Sequence, residues 1–331
     1  MSVTHATDDK RSLRYYELLR YQPENLALLH ARFRVTTAAT PDDDRPEDLK
    51  AIEVVIAPLG YFWGKEKIDQ APRLKVIASN TTGVPHIDIA YAAQRGIRVI
   101  SLKEETQFLQ TITPTAEMTW ALILGLTRRV PWSFQAVCAG EWERRNFGGK
   151  AMLSRMVLGI VGLGRLGKMV AGIARSFGMT VRYYDPSVTV DWEWAAKVSS
   201  LSELVSASDI VTVHIPMEDR NIRLFDAARF AQFKDGAYFI NTSRGEIVDS
   251  QDLLTALRSG KLAGAAVDVL DGEYDPMFKR RVSEHPLVEY AKTHDKLLIT
   301  PHIGGSTVDA WRMTERHTIE LVTRALTGMK Q

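Results

Sequence analysis

The chain has 331 residues, 45% of them apolar and 25% charged, the balance of a globular protein long enough for two domains of ordinary size. Its 42 basic and 40 acidic residues leave a net charge of only +2, with the basic residues scattered. Neither nucleic acid nor an anionic membrane surface is therefore indicated as a partner. The single cysteine, Cys138, excludes an internal disulfide and fits a reducing compartment; near a helix end it reads as a small apolar residue rather than a catalytic thiol.

Met1 to Ser12 are polar and charged, unlike a secretory signal. The longest apolar run, Met118 to Leu126, is too short to span a bilayer, so a cytoplasmic location is expected. The acidic patch Pro41 to Pro46, three consecutive aspartates flanked by prolines, reads as a solvated surface loop. Short apolar runs at Ile52–Ala57, Leu74–Ala78 and Ile97–Ile100 predict strands, with a helix over Ile87–Gln94 between the last two. That alternation is the signature of a parallel α/β domain. The aromatics of Leu59 to Trp63, just after the first of these strands, suit either an apolar wall or ordinary packing. Thr113–Pro114 then opens a helix expected to run to about Arg129. It is apolar on more than one face and so should be covered on several sides, between domains or between subunits.

From Val157 the alternation resumes, with strands expected at Val157–Val161, Thr180–Tyr184, Ile210–His214, Ala237–Asn241, Leu262–Val267 and Leu297–Thr300. Helical patterns at Arg165–Phe177, Leu201–Ser206, Ala227–Phe233 and Ser250–Arg258 lie between them. The first strand runs directly into Gly162–Leu163–Gly164–Arg165–Leu166–Gly167, a GxGxxG turn that opens a helix. In such a turn the first glycine makes the bend, the second lets backbone approach a pyrophosphate, and the third lets helix and strand pack closely. The following helix directs its N-terminal N–H groups at the phosphates. The next strand ends in Asp185, an acceptor for the adenosine ribose hydroxyls that disfavours a 2′-phosphate and so favours NAD over NADP.

Ligands of doubly wound sheets bind beyond the carboxyl ends of the strands, and three of those ends carry reactive residues. After Ile240 comes Asn241–Thr242–Ser243–Arg244–Gly245; after Val267 comes Asp268, with Glu273 five positions on; after Ile299 comes Thr300–Pro301–His302–Ile303–Gly304–Gly305. Arg244 offers a planar, permanently charged fork for a carboxylate. His302 suits proton transfer near neutral pH, and Glu273 can hydrogen-bond the imidazole and fix its tautomer. Asp268 either contacts the nicotinamide amide or terminates its strand. Together these parts describe hydride exchange between nicotinamide and a carbonyl carbon, with His302 moving the proton and Arg244 holding the neighbouring carboxylate.

These motifs, Gly162–Gly167, Asn241 to Asp249 (NTSRGEIVD) and Thr300 to Gly305 (TPHIGG), resemble those of the D-isomer-specific 2-hydroxyacid dehydrogenases, and the likeness extends from about Ile52 to Gly328. It implies two Rossmann-like doubly wound domains with parallel sheets and a cleft between them. Residues 1–107 with 305–331 would form a discontinuous substrate domain, onto which the final helix returns, and 108–304 the NAD domain. It implies catalysis by Arg244, Glu273 and His302, and substrate binding by Thr81, Thr82 and Gly83 with Arg244 and His302. The cofactor set it implies comprises Thr115, the turn glycines, Arg165, Leu166, Asp185, His214, Pro216, Asn221, Thr242, Ser243, Arg244, Asp268, His302 and Gly304. A homodimer built on the NAD domains is implied, and no metal. The chain departs from the pattern at Pro85, and at Glu218 and Asn221. The stretch Asp271 to Lys296 is also longer than usual; its Lys279, Arg280 and Arg281 are expected in a solvated loop rather than against an anionic substrate.

Two other classes compete: an NAD-sensing corepressor on the same fold, and a methyltransferase with a similar glycine turn, which leaves the Arg–Glu–His set unexplained. Phosphite- or formate-oxidising relatives are a narrower alternative, and Glu273 in place of glutamine counts against the formate enzymes.

Overall fold

The computed structural model describes residues 10–19, 22–149, 151–189, 192–275 and 277–328. The chain divides into two units, Met1–Ile112 with Ser306–Gln331, and Thr113–Gly305, with seams five residues and one residue beyond the expected ones.

The first unit is built on five parallel strands, β1 (Ser12–Tyr16), β2 (Arg34–Ala38), β3 (Val54–Ile56), β4 (Val76–Ala78) and β5 (Arg98–Ile100), in the order β2-β1-β3-β4-β5. Every residue of β3 and β4 is buried, because helices cover both faces of the sheet. One face holds Leu13, Tyr15, Val54, Ile56 and Val76 against Leu29 and against Ile319, Val322 and Leu326 of the C-terminal helix Val308–Gly328. The other holds Tyr16, Val55 and Ile77 against Trp63, Ile68, Ile87 and Ala92. Trp63 is thus core, whereas Phe62 beside it is exposed.

Strands β1 and β2 carry no continuous apolar run, since Arg14 and the threonines interrupt it. Arg14 is nevertheless buried, and its partner corrects the expectation for Pro41–Pro46. That segment is a 3-10 turn capped by Thr40, and its last aspartate points inward. Asp44 is 1% exposed and accepts from Arg14 at 2.8 Å, Lys67 at 3.0 Å and the Tyr16 hydroxyl at 2.7 Å. Burial, then the hydrogen bond to this carboxylate, drives the Tyr16 hydroxyl far above its ordinary pKa. The run of aspartates is therefore only partly solvated; its third member closes a buried ion pair.

The second unit carries seven parallel strands, β6 (Val157–Val161), β7 (Thr180–Tyr184), β8 (Ala196–Lys197), β9 (Ile210–Val213), β10 (Ala237–Asn241), β11 (Leu262–Val267) and β12 (Leu297–Ile299). Their order is β12-β11-β10-β9-β6-β7-β8, so the winding reverses between β6 and β9, which open a crevice at their carboxyl ends. Both sheets are parallel and doubly wound, as expected. Helix Pro114–Thr127 ends short of its predicted limit because Arg129 turns left-handed, at φ 55°, and a second helix, Val130–Cys138, sets off with Cys138 exposed at its end. The long stretch Asp271–Lys296 is not a solvated loop either. It forms helices Phe278–Arg281 and Pro286–Ala291, with Leu287 and Tyr290 packed on Leu253, Leu257 and Leu297. Lys279, Arg280 and Arg281 stay on its exposed side.

Candidate active site

At the switch point the turn glycines divide their work. Gly162 sits at φ +91°, and a Cβ there would lie 2.6 Å from the His214 carbonyl oxygen. A Cβ on Gly167 would lie 2.2 Å from the Gly162 carbonyl oxygen, so strand β6 and helix Arg165–Ser176 approach too closely for any side chain. At Gly164 a Cβ meets nothing within 4 Å. No neighbouring protein atom demands that glycine; space is kept beside the N-terminal end of the helix, where the positive end of its dipole lies. Asp185 accepts from Leu163 N at 2.9 Å and Ser187 N at 2.8 Å, tying the end of β7 to the glycine turn.

Across the crevice, His214 follows β9. Its Nε2 meets Thr212 Oγ1 at 3.0 Å, while Nδ1 is buried with no partner among the described residues. Burial pushes its pKa down to about 4, which keeps it neutral. Asn221 donates to the Pro216 carbonyl at 2.8 Å and so shapes the turn after His214. A small-residue cradle open at Gly164, a helix N-terminus, an acid at the end of β7 and an orphaned buried nitrogen together fit a dinucleotide.

The next strand ends hold the reactive groups. Buried Asp268, at the end of β11, accepts from Thr300 Oγ1 at 2.6 Å, Ile303 N at 2.9 Å and Gly304 N at 2.7 Å. Its carboxylate thus organises the loop Thr300–Gly305, and a Cβ on Gly304 would lie 2.8 Å from it. This loop-holding role goes beyond the strand termination that is one of the two readings open to Asp268 in the sequence, and it is not the other, a contact to the nicotinamide amide. His302 is held at φ +52°, a conformation costly for a residue with a Cβ, by N–H donation to the Asp268 carbonyl at 2.8 Å. Its Nδ1 then lies 2.7 Å from Glu273 Oε1. The glutamate is 11% exposed and the histidine 30%, so the carboxylate is enclosed and the imidazole reaches out. Among the described residues nothing hydrogen-bonds Nε2.

Arg244 follows β10. Asn241 shapes its turn by donating to the Arg244 carbonyl at 2.8 Å and accepting from Ser243 N at 2.9 Å, while the Ser243 hydroxyl donates to the Ile215 carbonyl. The guanidinium donates to the Ser243 carbonyl at 2.6 Å, and no carboxylate among the described residues pairs with it. Thr242 Oγ1 meets Thr119 Oγ1 at 2.9 Å, and Thr119 donates to the Thr115 carbonyl, which places Thr115 beside the same strand end. His302 and Glu273 are joined directly. Arg244 belongs to the same neighbourhood through Tyr274, a residue that no sequence motif marks. Its ring stands edge-on to His302, with centroids 6.4 Å apart and planes at 71°. Burial pushes its hydroxyl up to about 12, with Arg244 opposing and Glu273 adding to the rise.

In the first unit, Thr81 donates to the Gly83 carbonyl at 2.6 Å, and among the described residues none accepts from the backbone N–H of Thr82 or Gly83.

Residues 120–304 match the D-isomer specific 2-hydroxyacid dehydrogenase, NAD binding domain. The chain belongs to the D-isomer specific 2-hydroxyacid dehydrogenase family. The D-3-phosphoglycerate dehydrogenase of Haemophilus influenzae is 37% identical over 272 residues, 82% of this chain and 63% of that one. The glyoxylate reductase of Thermofilum pendens is 36% identical over 258 residues, 76% of this chain and 71% of that one. The crystal structure of D-lactate dehydrogenase from Aquifex aeolicus, complexed with NAD and lactic acid, superposes with a TM-score of 0.80 at 26% identity, over 96% of each chain. The chain spans about half the length of the D-3-phosphoglycerate dehydrogenases of Methanocaldococcus jannaschii (51%) and Bacillus subtilis (48%). NAD is the cofactor of the matched domain.

Proposed function

We propose that the protein is an NAD-dependent oxidoreductase interconverting a 2-oxo acid and a D-2-hydroxy acid. The observation that carries this reading is the backbone-held His302, bonded through Nδ1 to an enclosed Glu273 with Nε2 left unengaged. NAD, when bound, would supply the hydride chemistry at the substrate carbon. Nδ1–H donation to Glu273 leaves Nε2 as the atom that moves the proton, giving it to the carbonyl oxygen in reduction and taking it from the hydroxyl in oxidation. Glu273 stabilises the imidazolium formed on oxidation, and the Tyr274 ring stands edge-on beside it. The Arg244 fork holds the carboxylate and polarises the adjacent carbonyl. The N–H groups of the Thr81, Thr82 and Gly83 loop supply further donors to the carboxylate.

On the cofactor side, Gly164, Arg165 and Leu166 would hold the pyrophosphate in the turn that Gly162 and Gly167 shape, and Asp185 would hold the adenosine ribose. His214, Pro216 and Asn221 would line the adenosine pocket, and Thr115, Thr242, Ser243, Asp268 and Gly304 would face the nicotinamide side. We place the enzyme in a reducing cytoplasm, in keeping with its one cysteine.

The reading extends to a homodimer through the segment after Arg129. Trp142 there is 89% exposed and Phe134, Val137 and Met152 are also open, more apolar surface than one copy covers. Replacing Trp142 with Glu should convert dimers to monomers in sedimentation velocity.

The test of the function is NADH consumption across glyoxylate, hydroxypyruvate, pyruvate, phenylpyruvate and phosphohydroxypyruvate. Turnover of at least one is expected; NADH binding with no turnover of any would return the chain to the NAD-sensing alternative.

A further inference from the structure

Behind the loop Thr81–Gly83 runs a chain of buried groups whose hydrogen-bond directions follow from valence alone. Thr81 Oγ1 lies 2.6 Å from the Gly83 carbonyl oxygen; a carbonyl only accepts, so the single hydroxyl proton of Thr81 is spent there. Ser79 Oγ, 2.8 Å from Thr81 Oγ1, must therefore donate to it. With the Ser79 proton spent, His86 Nε2, 3.2 Å from Ser79 Oγ, must donate in turn. The Ala57 carbonyl, 3.3 Å from the same nitrogen, makes the same demand. The imidazole is thus the Nε2–H tautomer, with Nδ1 a bare acceptor, buried and without a partner among the described residues. The opposite tautomer would set the Nε2 lone pair against the Ala57 oxygen and bury an unpaired N–H, the more costly arrangement.

Both His86 and Ser79 are buried, and burial holds His86 neutral, its pKa pushed down to about 4. The backbone around His86 is pinned as well. Its carbonyl accepts from Trp63 N at 2.8 Å, and the Trp63 carbonyl accepts from Asp88 N at 3.0 Å.

We propose that His86 is a positioning residue for substrate: its Nε2–H, relayed through the Ser79 and Thr81 hydroxyls to the Gly83 carbonyl, holds the Thr81–Gly83 loop so that the Thr82 and Gly83 N–H groups remain available to a carboxylate. The relay occupies the Gly83 carbonyl, the group in that loop most able to repel an anion, and makes every hydroxyl in the chain point one way. This rests on the reading of the loop as a carboxylate contact, made above.

The experiment uses the full chain and the 2-oxo acid it turns over best. Ser79→Ala should raise KM roughly five- to tenfold, with kcat within about twofold and NADH affinity unchanged. His86→Gln, whose side-chain amide can still donate, should stay close to the parent, while His86→Leu should match Ser79→Ala. Independently of turnover, the imidazole ¹⁵N signals of His86 should report protonated Nε2 and bare Nδ1 at pH 7. An unchanged KM in Ser79→Ala, or an Nδ1–H imidazole, overturns the relay and leaves the dehydrogenase reading standing. A parent protein that turns over none of the 2-oxo acids removes that reading and the substrate role of His86 with it.

Discussion

The two units are built on one plan and equipped differently. Each is a parallel sheet whose winding reverses beside its first strand, β1 in one and β6 in the other. At the end of β6 stands a glycine turn with a helix N-terminus behind it; at the end of β1 stands Glu17–Leu18–Leu19, a 3-10 turn without glycine. Their acids differ in the same way. Asp268 is buried to accept backbone N–H groups and so aims a loop, whereas Asp44 is buried to neutralise Arg14 and Lys67 and so closes a core. The shared architecture makes a crevice available in both; which one takes a dinucleotide is decided by a handful of residues at strand ends.

The sharpest way to break this comparison is at the loop Asp268 aims. His302→Ala should lower kcat by about 10²- to 10⁴-fold while NADH affinity stays within a small factor, as read by steady-state kinetics and fluorescence titration. Near-parental turnover would contradict the acid–base assignment. Arg244→Ala should instead raise KM strongly along with its loss in kcat, as the proposed carboxylate contact requires.

On the other side of the comparison, Asp44→Ala should cost stability rather than chemistry. It leaves Arg14, 4% exposed, without its carboxylate, and unfolding in urea should show a loss of about 3–5 kcal/mol with kcat per folded molecule unchanged. A loss under about 1 kcal/mol would mean that Asp44 is an ordinary surface acid after all.

The glycine turn can be dissected next. Gly167→Ala forces a methyl to 2.2 Å from a backbone oxygen and should destabilise by about 1–3 kcal/mol. Gly164→Ala meets no protein atom within 4 Å, so its melting temperature should stay put while the NADH dissociation constant rises roughly tenfold or more. Equal effects of the two on stability would remove the distinction between a glycine kept for packing and one kept for ligand.

Acid stability gives the smallest contrast. His86 titrates near 4 in the folded protein against about 6.5 when unfolded, so between those values the unfolded chain binds more protons. Stability should fall as pH drops through that window, by roughly 2 kcal/mol between pH 7 and pH 5, and His86→Gln should remove that part of the slope. A parent and variant with parallel pH profiles would place the histidine in water.

Much of this was legible in the chain because it is local. Strand-length apolar runs, the spacing of Gly162, Gly164 and Gly167, and the residues that follow Ile240, Val267 and Ile299 are set by neighbours a few positions away, and they carry the α/β class and the candidate site. What stayed hidden depends on partners far along the chain. Asp44 reads as solvated until Arg14 and Lys67 are brought to it, the charged stretch after Asp271 reads as a loop until Leu287 and Tyr290 find the second core, and Tyr274 carries no signal until it stands beside His302. Composition and periodicity thus determined which elements form and which chemistry their ends can hold. Burial and hydrogen-bond direction, down to the tautomer of His86, were decided only by the folded structure, because each is a property of pairs of groups that the backbone must first bring together.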